Sequence, residues 1–111
     1  MKYAPYAFWF WDTALDTSLI SEMAARMSAK GLNPVYIHPR KGLPKNQWLS
    51  KIWFDAFRTA INQTLRYGTY LGYCDEYWWP SGRADGRVLE RFPELRAVSV
   101  RKPSQVPGSP P

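Results

Sequence analysis

The chain has 111 residues, room for about one small domain, which excludes a multidomain enzyme and a complete (β/α)8 barrel of roughly 250 residues. It is 45% hydrophobic and 22% charged, hence globular in class, with a high aromatic content of six Trp, seven Tyr and five Phe. The formal charge is +6, but residues 1–82 carry nine Lys/Arg against six Asp/Glu and residues 83–111 six against three, so the excess is scattered and no nucleic-acid partner is expected.

Tyr6 to Trp11 is a continuous apolar run. It is short, aromatic and closed by Asp12 without a small-residue cleavage site, so it reads as a strand covered on both faces rather than a signal segment. Asp16, Thr17 and Ser18 each offer a helix N-cap oxygen. Leu19, Ile20, Met23, Ala24 and Met27 recur at helical spacing, and Lys30 followed by Gly31 is a stop. Asn33-Pro34 breaks the chain before a second strand at Val35–Ile37, and residues 38–42 read as a loop. A second helix is expected from about Asn46, with Trp48, Leu49, Ile52, Trp53, Phe57, Ala60, Ile61 and Leu65 as its apolar stripe and Gly68 as its stop. Thr69–Cys74 is a third strand and residues 75–82 the loop beyond it. A short helix is expected around Arg87–Phe92 and an extended stretch at Ala97–Val100. Residues 101–111, with four prolines, show no packing pattern and read as a flexible tail after a domain spanning residues 1–100.

The order strand, helix, strand, helix, strand predicts an α/β fold with about three parallel strands and two main helices, joined by crossovers. In parallel sheets the carboxyl ends of the strands carry function. Here those ends hold Trp11-Asp12, then His38 and Arg40, then Asp75 and Glu76. Paired carboxylates can act as general acid and base in glycoside cleavage, hold a hard cation or accept sugar hydroxyls. The competing reading is a structural ion pair with Arg40 or Arg83. Neighbours at a strand end point to opposite sides, so only one of the pair is expected in a pocket. His38, the only histidine, is either a structural hydrogen-bonding group or a site residue. Arg40 can fork onto a carboxylate of a ligand or of the protein. Tyr77, Trp78 and Trp79 beside the acidic pair offer flat faces for stacking on sugar C–H surfaces, or else core. Cys74 is the only cysteine, so no intrachain disulfide or thiolate zinc site is available, and it reads as a small buried apolar residue. There is no Walker loop, dinucleotide fingerprint or apolar stretch of about 20 residues, so no membrane partner is expected.

The blocks FWFWD, GLNPVYIHPRKGL and GYCDEYWWPSGRADGRVLERFPELRA, together covering residues 5–98, resemble the opening of the catalytic barrel in family 106 glycoside hydrolases, the α-L-rhamnosidase-like group. The third block is the most specific, with an acidic pair at a strand end followed by Trp-Pro-Ser-Gly and a glycine-containing loop. The resemblance implies the N-terminal part of a (β/α)8 (TIM) barrel, hydrolysis of rhamnosides or related glycosides by carboxylates, and a calcium ion in many members. It implies carbohydrate-binding roles for His38, Arg40, Asp75, Glu76 and Trp79; the family's general acid, general base and calcium ligands do not map onto this chain, and the catalytic candidates Asp75 and Glu76 come from the paired carboxylates themselves. Three strands of eight leave two sheet edges unpaired and the inner face uncovered. Such a chain is expected to have little activity alone, to self-associate through its barrel edges and to leave Trp9, Trp11, Tyr36 and Tyr73 short of burial. Asp85 stands where the family has a Gly-Gly turn, and Gly72 and Cys74 replace apolar strand residues. The alternative reading is a small non-catalytic carbohydrate-binding or interaction module, and a third, against which the scattered charge counts, is a nucleic-acid binder driven by the +6 charge.

Overall fold

The computed structural model describes residues 4–78 and 82–100. Strands β1 (Ala7–Trp11), β2 (Val35–Pro39) and β3 (Leu71–Tyr73) alternate with helices α1 (Thr17–Ala29) and α2 (Lys51–Arg66). The strands form one parallel sheet in the order β1-β2-β3, with Ala7 opposite Val35, Trp11 opposite Pro39 and Ile37 opposite Tyr73. A short third helix, α3 (Arg87–Arg91), lies between 3-10 turns at Ala84–Gly86 and Pro93–Leu95. The fold is therefore mixed α/β with three parallel strands and three helices. Ala97–Val100 is fully exposed and joins no strand, and the expected tail at 101–111 lies outside the described residues.

The helix ends follow from local chemistry. Asp16 Oδ1 accepts from the N–H groups of Ser18 and Leu19 at 2.7 and 3.2 Å, satisfying two donors that an uncapped α1 would leave open. Gly31 and Gly68, with φ of 74° and 66°, turn the chain out of α1 and α2 in the left-handed region where a side chain is unfavourable. Helix α2 begins five residues later than expected. Gln47 N–H donates to Pro44 O and Ser50 N–H to Gln47 O, so residues 44–50 close turns, and the Ser50 side chain caps the helix at Trp53 N–H. Trp48 still reaches the core, but from that turn. β2 runs two residues further than expected because His38 and Pro39 pair with Phe10 and Trp11. β3 is shorter than Thr69–Cys74, although backbone bonds from Val35 to Tyr70 and from Cys74 to Ile37 extend its contact with β2.

One core holds the molecule together. Trp9 and Trp11 of β1 and Val35 and Ile37 of β2 bury against Ile20, Ala24 and Met27 of α1 and Trp53, Ala56 and Ala60 of α2. Both helices therefore cover the same side of the sheet. The other side is bare, which corrects the expectation that β1 is covered on both faces. Trp9 and Trp11 are 5% and 4% exposed, whereas Phe8 and Phe10 are 55% and 52% exposed. The loss of burial expected for Trp9 and Trp11 falls instead on Phe8 and Phe10, because the period of a strand sends alternate residues to opposite faces. Tyr36 and Tyr73 are exposed as expected.

Candidate functional site

The bare face is a floor of aromatic rings. Phe8 and Phe10 stack with centroids 5.8 Å apart, and Tyr36 and His38 of β2 lie edge-on beside Phe8. Gly72 of β3 makes room for this arrangement. A Cβ there would run into the Tyr36 ring, so glycine is needed for Tyr36 to lie across β3. His38 is buried, 5.7 Å from the centroids of both Phe8 and Phe10. Its Nδ1 is 2.9 Å from Pro39 O. A carbonyl only accepts, so Nδ1 carries a proton, and in the neutral ring Nε2 is left as an acceptor.

Parallel pairing brings the three strand ends to one rim, where backbone and side-chain bonds tie them together. Arg40 N–H donates to Trp11 O, and Trp78 N–H donates to Pro39 O, the carbonyl that also accepts from His38. Asp12 accepts from Gly42 N–H at 2.7 Å, and a Cβ on Gly42 would collide with Asp12 O. Asp12 is thus a strut between the β1 and β2 ends. The Arg40 guanidinium carbon lies over two rings, 5.0 Å from the Phe10 centroid and 5.6 Å from that of Trp78, with Lys41 Nζ 5.1 Å from the Trp78 centroid. Trp78 holds its ring there with a φ of 65°, a conformation costing roughly 1–3 kcal/mol in a residue with a side chain.

The acidic pair divides. Glu76 is buried, and its carboxylate accepts from four backbone N–H groups: Tyr77 and Asp85 at Oε1, Arg83 and Ala84 at Oε2, at 2.6–3.1 Å. Four acceptor positions are what an ionised carboxylate has, so Glu76 is fully engaged in closing the loop after β3. Burial pushes its pKa up, but the N–H donors of Ala84, Asp85, Arg83 and Tyr77 outweigh burial and hold it below the ordinary carboxylate range. Asp75 is exposed and lines a cleft of about 420 Å³ beside β3 with Trp48, Trp53, Phe57 and Cys74. Among the described residues neither carboxylate pairs with Arg40 or Arg83. Burial, then the Asp75 charge, pushes the Cys74 thiol up, which disfavours a thiolate.

The loop closed by Glu76 is left-handed at Gly82, Ala84, Asp85 and Gly86, with φ of 90°, 47°, 54° and 86°. Asp85 adopts the conformation that glycine would supply at that turn, and its carboxylate pairs with Lys45. The Tyr77 hydroxyl donates to Leu43 O at 2.6 Å and its ring meets Trp48, which ties the loop to the β2–α2 connection. Of the five residues singled out for sugar binding, the structure brings His38 and Arg40 to the aromatic floor, turns Asp75 to the neighbouring cleft and buries Glu76 beneath a loop. Trp79 lies outside the described residues. Phe8, Phe10 and Tyr36 join the site unanticipated; the period of a strand puts Phe8 and Phe10 on the face opposite Trp9 and Trp11, but an unbroken apolar run does not say which face is left bare. Among the described residues no three of His, Cys, Asp and Glu come together as a metal-holding group. Calcium finds no cage at the acidic pair, because the oxygens of Glu76 face N–H donors. No family model, curated protein or solved structure matches the chain.

Proposed function

We propose that the chain is the N-terminal part of a (β/α) barrel of a glycoside hydrolase acting on rhamnosides or related glycosides, and that by itself it binds sugar without cleaving it. The observation that carries the reading is the sidedness of the sheet. Three sequential parallel strands with both helices on one side have the layout of a barrel wall, and the bare side is the one that would face inward. That inner side is aromatic and carries His38 and Arg40 toward its carboxyl rim, where barrel sites lie. Aromatic faces suit the C–H surfaces of a sugar, and the Nε2 acceptor of His38 and the Arg40 donors suit its hydroxyls.

Hydrolysis needs two carboxyl groups across one glycosidic bond, about 5–10 Å apart. Here Glu76 is consumed by its four N–H donors and Asp75 lines a different cleft. The acid and base of the proposed reaction therefore belong to later strands of a longer parent. The same separation favours the second reading, a non-catalytic carbohydrate-binding module, for the chain acting alone. Titration of the ¹⁵N-labelled chain with methyl α-L-rhamnoside tests the shared claim. Shifts should map to Phe8, Phe10, Tyr36, His38 and Trp78, and Phe10→Ala should weaken binding by about 0.5–1.5 kcal/mol. No release of aglycone from an aryl rhamnoside should be detected. Absence of binding by any rhamnoside or related glycoside would sink the proposal.

A further inference from the structure

Arg40 is held as an anion receptor is held. Its guanidinium carbon lies over two rings, 5.0 Å from the Phe10 centroid and 5.6 Å from that of Trp78, so aromatic contacts hold the group while its N–H donors remain for a ligand. Among the described residues the guanidinium makes no hydrogen bond and no ion pair within 4.0 Å. Lys41 lies over the same Trp78 ring and is equally unpaired there. The carboxylates nearby in sequence or at the rim are committed elsewhere. Asp12 accepts from Gly42, Glu76 from four N–H groups, and Asp85 pairs with Lys45, while Asp75 lines the cleft beside β3. Trp78, whose φ is 65°, carries the ring that lies over both cations.

Two adjacent cations, one of them a preorganised fork, at the end of an aromatic floor are suited to a sugar that carries its own carboxylate. Resting on the glycan reading above, we propose that the rim holds a subsite for a uronate residue. Arg40 takes the carboxylate through its paired N–H groups, Lys41 adds a second positive charge, and the sugar ring lies toward Phe10 and the aromatic floor. The planar carboxylate matches the fork in a way that a tetrahedral oxyanion or a single hydroxyl does not.

The test compares methyl glucuronoside with its uncharged methyl ester and with inorganic phosphate, by calorimetry on the 111-residue chain. The free acid should bind about ten- to a hundredfold more tightly than the ester, the range expected for charged hydrogen bonds, and more tightly than phosphate. Arg40→Gln should abolish the preference for the acid, so that acid and ester bind within about twofold of each other. Arg40→Lys keeps the charge and lacks the fork, so its preference should fall between those of the unaltered chain and the glutamine variant, and it serves if the glutamine variant fails to fold. Equal binding of acid and ester would overturn the uronate subsite and leave the sugar reading standing. Phosphate binding as tightly as the uronate would also overturn it, marking a bare anion trap. No binding of either glucuronoside would overturn the uronate subsite, while the rhamnoside titration above decides the sugar reading independently.

Discussion

At the scale of the residue, Glu76 decides the shape of the rim. Its carboxylate gathers the N–H groups of Arg83, Ala84 and Asp85 into one acceptor and so holds a loop that is left-handed at three consecutive residues. A left-handed conformation costs roughly 1–2 kcal/mol for each non-glycine residue, and charged hydrogen bonds of about 1.5–3 kcal/mol each offset that. Glu76→Gln replaces one acceptor oxygen by an NH₂ group that faces donors. We expect a loss of about 2–4 kcal/mol in thermal unfolding and loss of amide protection at residues 83–85. Unchanged exchange at those amides would remove Glu76 from this role. The same carboxylate sets a pH dependence. Its folded pKa is depressed, so its contribution is complete above the ordinary glutamate pKa and is lost as pH falls through the depressed folded value. In Glu76→Gln that acid limb of the stability curve should flatten. The sequence marked the acidic pair and its division between two sides. It left the role of Glu76 hidden, because its partners are backbone groups seven to nine residues away, and any residue type supplies an N–H.

At the scale of the element, the parts governed by near neighbours were legible. A cap among Asp16, Thr17 and Ser18 (the structure gives it to Asp16), Gly31 and Gly68 as stops and the alternation of strand and helix all follow from chemistry within one turn of the chain. The start of α2 was less so, since Trp48 continues the apolar stripe but is buried from a turn. The burial of β1 was misjudged for a physical reason. An unbroken apolar run says both faces are hydrophobic, and only the tertiary structure says whether both are covered. Gly72 shows the same limit. In sequence it is a weak strand residue, whereas in the sheet it is the gap that Tyr36 fills. Gly72→Ala should push the Tyr36 ring off β3, at about 1–3 kcal/mol for overpacking. It should alter the aromatic circular dichroism and weaken rhamnoside binding while leaving far-ultraviolet helix content intact. Retention of both the aromatic signal and the binding would show that Tyr36 is not part of the floor.

At the scale of the whole molecule, the edges of the sheet decide what the chain does in solution. Among the described residues β3 has a partner on one side alone, and beside its other edge Phe57, Ile61, Leu65, Tyr70, Leu71 and Tyr73 line an apolar cleft of about 400 Å³. Phe8, Phe10 and Tyr36 add the bare face. The radius of gyration is 19.6 Å, against about 13 Å for a compact chain near this length, as the exposed stretch to Val100 extends from the core. An unpaired strand edge beside exposed apolar surface is a template for pairing with another chain. In a barrel the next strand would take that place, so a barrel piece by itself should recruit a second copy. We therefore expect light scattering after size exclusion to show mass rising with concentration through the micromolar range. Tyr73→Lys puts a charge on the free edge, where Tyr73 is 63% exposed and little of the core is lost, and it should shift the mass toward the monomer. The result divides the two readings of the chain. Association that the lysine relieves is what an interrupted barrel wall requires. A monomer with one cooperative thermal transition at all concentrations would mean that three strands and their helices suffice as a closed unit, and the binding-module reading would then replace the fragment.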